Sequence, residues 1–559
     1  MERSVNILIG GEAGQGLVTI GQLLSKTLVR CGYRIVVTQS YQSRIRGGHN
    51  AFAVRVAAGE IEAPAESIDL LIALDGETVR LHLDELAEGG LALTDERLEI
   101  EDGRCFGVPY EKLATDDRFI NTTAFGSAAA LLGLDLDVAE AVLDALFGKK
   151  HPEMAEGNVN SLRNGYRWAE DNAGSSHRLA PIEDPGDRVM LNGNEAIAFG
   201  AASAGARFCS FYPMTPATSV PLTLIGIAER MGLVVEQVED EIAAVNMAIG
   251  ASYAGVPSLV STSGGGFALM VEGISLAGMT ETPLVVVIAQ RPGPATGLPT
   301  RTEQADLGFA LHAGHGEFPR AIFAPGSIEE CFHLTRRAFD LAERYQGPVF
   351  VLTDQFLADS YRAVEAFDVG TLDSVRPGAD PGEVEVPYLR HRITDSGVSP
   401  RLLPGASRHL VVTDSDEHTE DGHLTEDLGE RILQVEKRLR KGYGLIDEAL
   451  TPEPLGDEDP DLLFVSWGST RGSVLEAAAS LRADGMRVAV LHFSQTWPLV
   501  PEDFLPVLEG AKRVVAVEGN AFGQFAGLLR LVSGFEIEGR ISRYDGLPIT
   551  PEYILRKVE

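Results

Sequence analysis

The sequence predicts an α/β protein built as three successive globular stretches. Length is the first reason. Its 559 residues outgrow one hydrophobic core, and at roughly 150 residues per domain they suggest three or four domains. The second reason is alternation, since short apolar runs exchange with amphipathic helical patterns along most of the chain. The third is a pair of polar, proline-bearing connections that interrupt this alternation. The expected divisions are 1–175, a linker over 176–188, 189–365, a connecting segment over 366–459, and 460–559.

The first stretch opens with the strand Val5-Asn6-Ile7-Leu8-Ile9 and a glycine turn from Gly10 to Gly16. A helix over 17–29 and a second strand over 33–38 complete a βαβ unit. Another strand is expected at 69–74. In the second stretch Asn194 is the expected N-cap of a helix over 195–205. Strands at 207–212, 233–237, 258–261, 284–289 and 349–354 alternate there with helices at 221–231 and 240–255, giving a mostly parallel sheet. The connecting segment is rich in Pro, Gly and acids, with one helix over 425–442. The third stretch repeats the alternation with strands at 462–469, 487–492 and 513–518.

Composition narrows the function. With 47 Lys+Arg against 81 Asp+Glu the net charge is −34, which repels nucleic-acid phosphates and anionic lipids. Neither nucleic acid nor membrane is an expected partner. Cys31, Cys105, Cys209 and Cys331 lie far apart, so the chain offers no thiolate run for an iron–sulfur cluster and reads as reduced. Met1 leads straight into a strand without an apolar signal core. The expected location is the cytoplasm.

Several loops carry chemistry. Gly11, Gly14 and Gly16 spell G-x-x-G-x-G, the wrong order for a dinucleotide fingerprint, and no acidic residue ends the second strand. This disfavours a nicotinamide or flavin enzyme. The turn suits phosphate at a helix N-terminus, and it suits tight strand–helix packing equally well. Arg44 and Arg46, beside Gly47-Gly48, add phosphate donors, unless the chain's own carboxylates take them. In the second stretch Tyr212, Pro213 and Thr215 follow a strand end, where doubly wound sheets bind ligands. Glu241 closes an acidic run and starts an apolar helix, so its carboxyl is expected to be partly buried and able to exchange a proton with a ring nitrogen. Gly264, Gly265 and Gly266 follow the next strand, and Arg291, Thr300 and Arg301 lie on the loop after the most hydrophobic one. The run Asp414–His423 packs acids with two histidines, but its order is not that of an EF-hand. It reads as an exposed acidic loop.

Together these segments resemble a known family. YPMTPAT, EDEIAAVNMAIGASYAG, TSGGGFALMVEG and QRPGPATGLPTRTEQADL are similar to the α subunit of 2-oxoacid:ferredoxin oxidoreductases, while GGEAGQG and RIRGGH are similar to its γ domain, fused ahead of α. SPRLLPG, WGSTRGSVLEA and VVAVEGNAFGQFAGLLR extend the resemblance to the C-terminus. It implies a Rossmann-like γ domain, a thiamine-diphosphate-binding pyrimidine-type domain and a transketolase C-terminal-like domain. It implies that Glu241 meets the aminopyrimidine N1′ and that Tyr212, Pro213, Thr215 and Gly264–Gly266 line the cofactor. Thr215, Arg291, Thr300 and Arg301 would meet the 2-oxoacid, with Arg291 on its carboxylate. Gly11, Gly14, Gly16, Arg44 and Arg46 would contact coenzyme A.

The absences define a partner. Thiamine enzymes hold Mg²⁺ and diphosphate with a Gly-Asp-Gly segment, and none occurs in this sequence. The resemblance therefore implies a β subunit carrying Mg²⁺ and a [4Fe-4S] cluster, an (αβ)₂ assembly, and ferredoxin as electron acceptor. The fused γ–α arrangement favours 2-oxoglutarate, with pyruvate or other 2-oxoacids as alternatives. A docking module that has lost its chemistry is the competing class, and the joint presence of Thr215, Glu241 and Arg291 speaks against it.

Overall fold

In a computed structural model, residues 4–12, 14–41, 48–148, 152–173 and 177–558 are described. The chain forms two compact units. One comprises Met1–Leu191 with Asp359–Phe367 and Thr550–Arg556, and the other Asn192–Ala358 with Asp368–Ile549 and Lys557–Glu559.

The first unit is one eight-stranded sheet covered by helices. Its parallel half runs Cys105–Val108, Leu86–Asp95, Ile68–Ala73 and Val5–Glu12. The other half is antiparallel: His49–Ala57, Arg34–Ser40, Arg362–Glu365 and Arg188–Leu191. The βαβ expectation is corrected here. Arg34–Ser40 does not neighbour Val5–Glu12, because His49–Ala57 folds back between them and pairs with both. The helix Leu17–Arg30 buries Leu17, Ile20, Leu23, Leu24 and Leu28 at helical spacing against this sheet.

The second unit holds two sheets. The seven-stranded one has the order Gln495–Trp497, Ala321–Phe323, Pro348–Asp354, Leu284–Gln290, Ser258–Thr262, Phe208–Phe211, Val234–Gln237. All its strands are parallel except Gln495–Trp497. Leu284–Gln290 is buried throughout, as a central parallel strand covered on both faces should be. The five-stranded sheet centres on Leu462–Trp467. Phe267, Ile288 and Phe350 share one apolar core with Trp467, Phe493 and Phe525 from around the second sheet. Gln304 reinforces that join: its amide donates to the Trp467 carbonyl (3.1 Å) and its oxygen accepts from the Gly519 N–H (2.8 Å).

One cap moves. Asn192, not Asn194, caps the helix Gly193–Ala204, in a reciprocal capping box with Glu195. Asn194 is fully buried, and its amide donates to the Pro216 carbonyl (2.8 Å) and to Ser219 Oγ (2.6 Å). It thereby fixes the loop that follows Phe208–Phe211. The segment Gly264–Gly266, read as a loop, forms the first turn of the helix Gly264–Met279.

Candidate functional site

Parallel strands of the larger second-unit sheet deliver their C-terminal ends to one edge, and the segments that follow four of them build the site. Glu241 is the first residue of the helix Glu241–Tyr253. Asp240 caps that helix by accepting the Ala243 N–H at 2.7 Å. The Glu241 side chain is buried, and its Oε1 has no hydrogen-bond partner among the described residues. It lies over Gly266, where a Cβ would come within 2.6 Å of Oε1 and run into Thr262 Oγ1. Glycine is therefore required at 266 for the carboxyl to sit against the helix start.

The neighbouring Gly264 is equally constrained, since a Cβ there would run into the Asp306 carboxylate. Asp306 is held by its own N–H, which donates to Gln290 Oε1 at 2.9 Å. Burial pushes its carboxyl up to about 6, with the Arg291 guanidinium opposing the shift. Burial likewise lowers Arg291 from its usual range, and Asp306 works the other way. Arg291 Nη1 donates to the Thr215 carbonyl at 2.7 Å, which ties the 290–301 loop to the 212–216 loop. Glu241 thus lies against Gly266, Asp306 against Gly264 and Arg291 on Thr215, with Asp306 and Arg291 acting on each other through charge.

Other expected residues lie at its margins. Tyr212, Pro213 and Gly265 are exposed, Thr215 is half-buried, and Thr300 is buried. The Arg301 stem packs against Gly546, on the side of the five-stranded sheet. Tyr212, Ile242, Leu269 and Leu298 belong to these same loops and first turns, and all are between 40 and 52% exposed. A buried polar atom without a partner marks a place for a ligand, and exposed apolar side chains on the same loops mark a surface for a partner.

In the first unit Gly11 ends the first strand, and Gly14 (φ 102°) and Gly16 (φ 78°) take left-handed conformations that lead into the Leu17–Arg30 helix. Arg44 and Arg46 lie outside the described residues. Beside the turn, His49 Nε2 meets His82 Nε2 at 2.8 Å, and His82 Nδ1 meets Glu85 at 2.6 Å. His49 stood in the quoted RIRGGH segment, yet its distant partner left no local signal.

The acidic loop is also corrected. His418 is wholly buried rather than exposed, and its ring stacks 3.9 Å from that of His391, which hydrogen-bonds Glu281 at 3.0 Å. Metal-ligating atoms of Glu281, His391 and His418 approach within 4.8 Å. However, Lys437 (2.5 Å) and Lys441 (3.0 Å) already occupy the Glu281 carboxylate, so a divalent cation would enter a region of excess positive charge. The sequence did not single out Asp306 or this cluster, and it offered Asn194 in a different role. Asp306 lay within the quoted 290–307 motif and was the recoverable one. No helix among the described residues is long and apolar enough to cross a membrane.

Comparison with known proteins identifies the family. Residues 6–168 match the family model described as pyruvate ferredoxin/flavodoxin oxidoreductase. Residues 199–437 match its thiamine-diphosphate-binding model, and 455–555 match the transketolase C-terminal domain. The chain is 32% identical to 2-oxoacid:ferredoxin oxidoreductase 1, subunit alpha, of Aeropyrum pernix, over 98% of this chain and 96% of that one. It is 30% identical to the 2-oxoglutarate oxidoreductase subunit KorA of Mycobacterium tuberculosis, over 95% and 87%. Among solved structures it is similar to the 2-oxoglutarate:ferredoxin oxidoreductase of Magnetococcus marinus, determined with 2-oxoglutarate, coenzyme A and succinyl-CoA bound. That likeness has a TM-score of 0.93 at 30% identity and covers 100% of this chain and 99% of that one. With three α/β domains in this order and relatives aligned over nearly its whole length, the chain belongs to the family of 2-oxoacid:ferredoxin oxidoreductase α subunits.

Proposed function

We propose that this chain is the α-type subunit of a 2-oxoglutarate:ferredoxin oxidoreductase and holds the aminopyrimidine end of thiamine diphosphate on Glu241. The observation that carries the reading is the buried, unpartnered Glu241 Oε1 above Gly266. This donor set fits the group. A carboxyl that can hold or release a proton suits a ring nitrogen, and a glycine floor lets a flat ring approach. Bound there, thiamine diphosphate supplies the electron sink for decarboxylating a 2-oxoacid.

The chain's own residues then have distinct tasks. Glu241 holds a proton at Oε1 and exchanges it with the ring nitrogen. Arg291, with one N–H fixed on the Thr215 carbonyl, presents its remaining donors to the substrate carboxylate. Asp306 positions Arg291, and Thr215 offers a hydroxyl beside it. Thr300 and Arg301 extend the substrate-facing loop. Tyr212, Pro213, Ile242, Leu269 and Leu298 form the rim that a β subunit covers, excluding water. That subunit supplies Mg²⁺ and the [4Fe-4S] cluster, ferredoxin takes the electrons, and coenzyme A takes the acyl group, in a cytoplasmic (αβ)₂ enzyme. Coenzyme A phosphates are assigned to Gly11, Gly14, Gly16, Arg44 and Arg46, an assignment supported by the sequence of that turn and loop.

The names of the KorA relative and of the Magnetococcus marinus structure support 2-oxoglutarate. The Aeropyrum pernix relative, named only for 2-oxoacids, favours a wider range as the second reading. The test is co-expression with the cognate β subunit and measurement of CoA-dependent reduction of a low-potential acceptor, using 2-oxoglutarate and pyruvate in turn. Glu241→Gln should lower kcat by about 10²–10⁴-fold. Arg291→Lys should raise KM for the 2-oxoacid by roughly 10-fold or more, because a lysine cannot hold loop and substrate together. Full turnover by Glu241→Gln, or turnover by the chain without its partner, would sink the proposal.

A further inference from the structure

Arg291 and Asp306 act on each other through charge but do not close into an ion pair. Arg291 spends one N–H on the Thr215 carbonyl (2.7 Å), a neutral acceptor. Among the described residues no carboxylate oxygen comes within 4.0 Å of its guanidinium nitrogens. Asp306 is fixed by other means. Its N–H donates to Gln290 Oε1 (2.9 Å), its carbonyl accepts the Ala310 N–H (2.8 Å), and its carboxylate lies against Gly264. Neither carboxylate oxygen has a hydrogen-bond partner among the described residues. The residue is half-buried, so solvent can still exchange a proton with it. The charged groups that act on it are Arg291 and, three residues back on the same loop, the acid Glu303. Of the helices packed beside it, Gly264–Met279 presents only a glycine, and Gln524–Ser533 presents the neutral Gln524, which donates to the Ala305 carbonyl (2.6 Å). Glu241 lies against Gly266 instead.

We propose that Asp306 couples substrate binding to a proton: when a 2-oxoacid carboxylate settles on Arg291, the Asp306 carboxylate takes up one proton from solvent, and it gives that proton back when the substrate carboxylate leaves. The inference rests on the reading of Arg291 as the carboxylate anchor. In the free site one cation and one acid balance. An arriving carboxylate brings a second negative charge into the field of the same guanidinium, and of two carboxylates sharing a site one is strongly raised. Position decides which acid yields. The substrate receives the free N–H donors of Arg291, and these charge-assisted bonds hold it ionised. Asp306 has no hydrogen bond to hold its charge, and burial has already pushed it up to about 6. Its proton restores the balance of one cation and one anion. The gap between Asp306 and Arg291 is what makes this exchange possible, because a closed ion pair would occupy the donors that the substrate needs.

Oxalylglycine binding to the assembled α–β complex tests it. This probe copies 2-oxoglutarate with an NH in place of the methylene beside the carbonyl, so it binds without losing CO₂. Calorimetry in buffers of different ionisation enthalpy counts the protons that move with it. Wild-type binding at pH 7 should take up close to one proton, and Kd should rise by up to about tenfold per pH unit above about 6. Asp306→Asn copies the protonated form. It should abolish the uptake, flatten the pH profile and bind about 10-fold more tightly than wild type at pH 8. A residue that only positioned Arg291 would do the reverse, with binding weakened at every pH and the uptake intact. Glu303→Gln should keep the uptake, which assigns the proton to Asp306 even where the asparagine variant fails to fold. Binding that Arg291→Ala abolishes, but that moves no proton in the wild type, overturns this inference and leaves the anchor reading standing. So does uptake that survives Asp306→Asn or vanishes in Glu303→Gln. No binding at all, or binding that Arg291→Ala leaves intact, overturns the anchor reading and this inference with it.

Discussion

Two glutamates sit near opposite ends of the helix Gly264–Met279, and both are buried: Glu241 at 3% exposure beside its first turn, and Glu281 at 0% just past its end. Their surroundings differ completely. Glu281 faces the ammonium groups of Lys437 and Lys441 and the ring of His391, while Arg390 donates to its backbone carbonyl at 2.8 Å. Glu241 Oε1 faces a glycine and has no protein partner. Burying an ionisable group costs free energy unless its partners repay the lost hydration. At Glu281 the repayment is internal, and the result is a clamp joining the Leu428–Asp447 helix to the turn that follows Gly264–Met279. At Glu241 it is missing, which is how a site awaiting a ligand differs from a structural ion pair.

The largest expected effect breaks the clamp. Glu281→Ala leaves two buried ammonium groups uncompensated and should cost about 3–5 kcal/mol. It should appear as a collapse of the melting temperature of the full chain. Glu241→Ala, at almost the same burial, should shift that temperature little. Equal losses for the two variants would erase the distinction between them.

Acid should act on the clamp next. Burial opposes charge at Glu281, yet Lys441, Lys437 and His391 together hold its carboxyl well below the usual range. Burial holds His391 well below its usual range, with Glu281 opposing and Arg390 and His418 adding to the shift, and it also lowers Lys437 to about 8. A histidine kept neutral in the fold binds its proton first in the unfolded chain. The stability that His391 contributes by staying neutral is therefore full above the ordinary histidine value of 6.5 and falls as pH drops below it. Glu281 adds a second loss below its ordinary 4.5. Melting temperature measured from pH 7 to about pH 2 should fall in these two stages, and Glu281→Gln should remove the lower one. A flat profile would show that the cluster does not couple to folding.

Gly266→Ala should be smaller in stability but sharp in function. The added methyl collides with Thr262 and approaches Glu241 Oε1. Overpacking of this kind costs typically about 1–3 kcal/mol, and here it displaces the proposed proton-exchanging group. Turnover of the complex should drop well beyond what the lost stability explains. A variant with wild-type kcat would remove Glu241 from the site.

The segments of the proposed site were more legible in the sequence than the clamp. Those carrying Thr215, Glu241, Gly264–Gly266 and Arg291 all follow strand ends, so local pattern and sheet topology sufficed to place them on one edge. Glu281 reads as an ordinary loop acid in Met279-Thr280-Glu281-Thr282-Pro283. Lys437 and Lys441 fall within the expected helix over 425–442, and a helix alone does not say that its lysines are the buried side. His418 was hidden in an acidic run for the same reason, its partners being 27 and 137 residues away at His391 and Glu281. The strand His49–Ala57 was missed because antiparallel insertion depends on a register that only the folded sheet fixes. Asn192 and Asn194 are chemically identical cap candidates, and only the position of the 213–219 loop assigns their roles.

The smallest expected effect sharpens the comparison furthest, because it holds stability constant while changing position. Asp240 caps the Glu241–Tyr253 helix through the Ala243 N–H (2.7 Å), and Ser327 caps the Ile328–Tyr345 helix through the Glu330 N–H (3.2 Å). Replacing either cap by Ala should cost about 1 kcal/mol. The two losses differ in what they disturb. Without Asp240 the first turn frays, and Glu241 is the first residue of that turn, so its carboxyl loses its fixed place over Gly266. Without Ser327 the fraying falls on Glu329 and Glu330, outside the proposed site. Asp240→Ala should therefore lower kcat of the assembled enzyme several-fold at temperatures where both variants remain folded, while Ser327→Ala leaves it unchanged. Equal kinetics from the two would mean that Glu241 is held by its burial alone and not by the start of its helix.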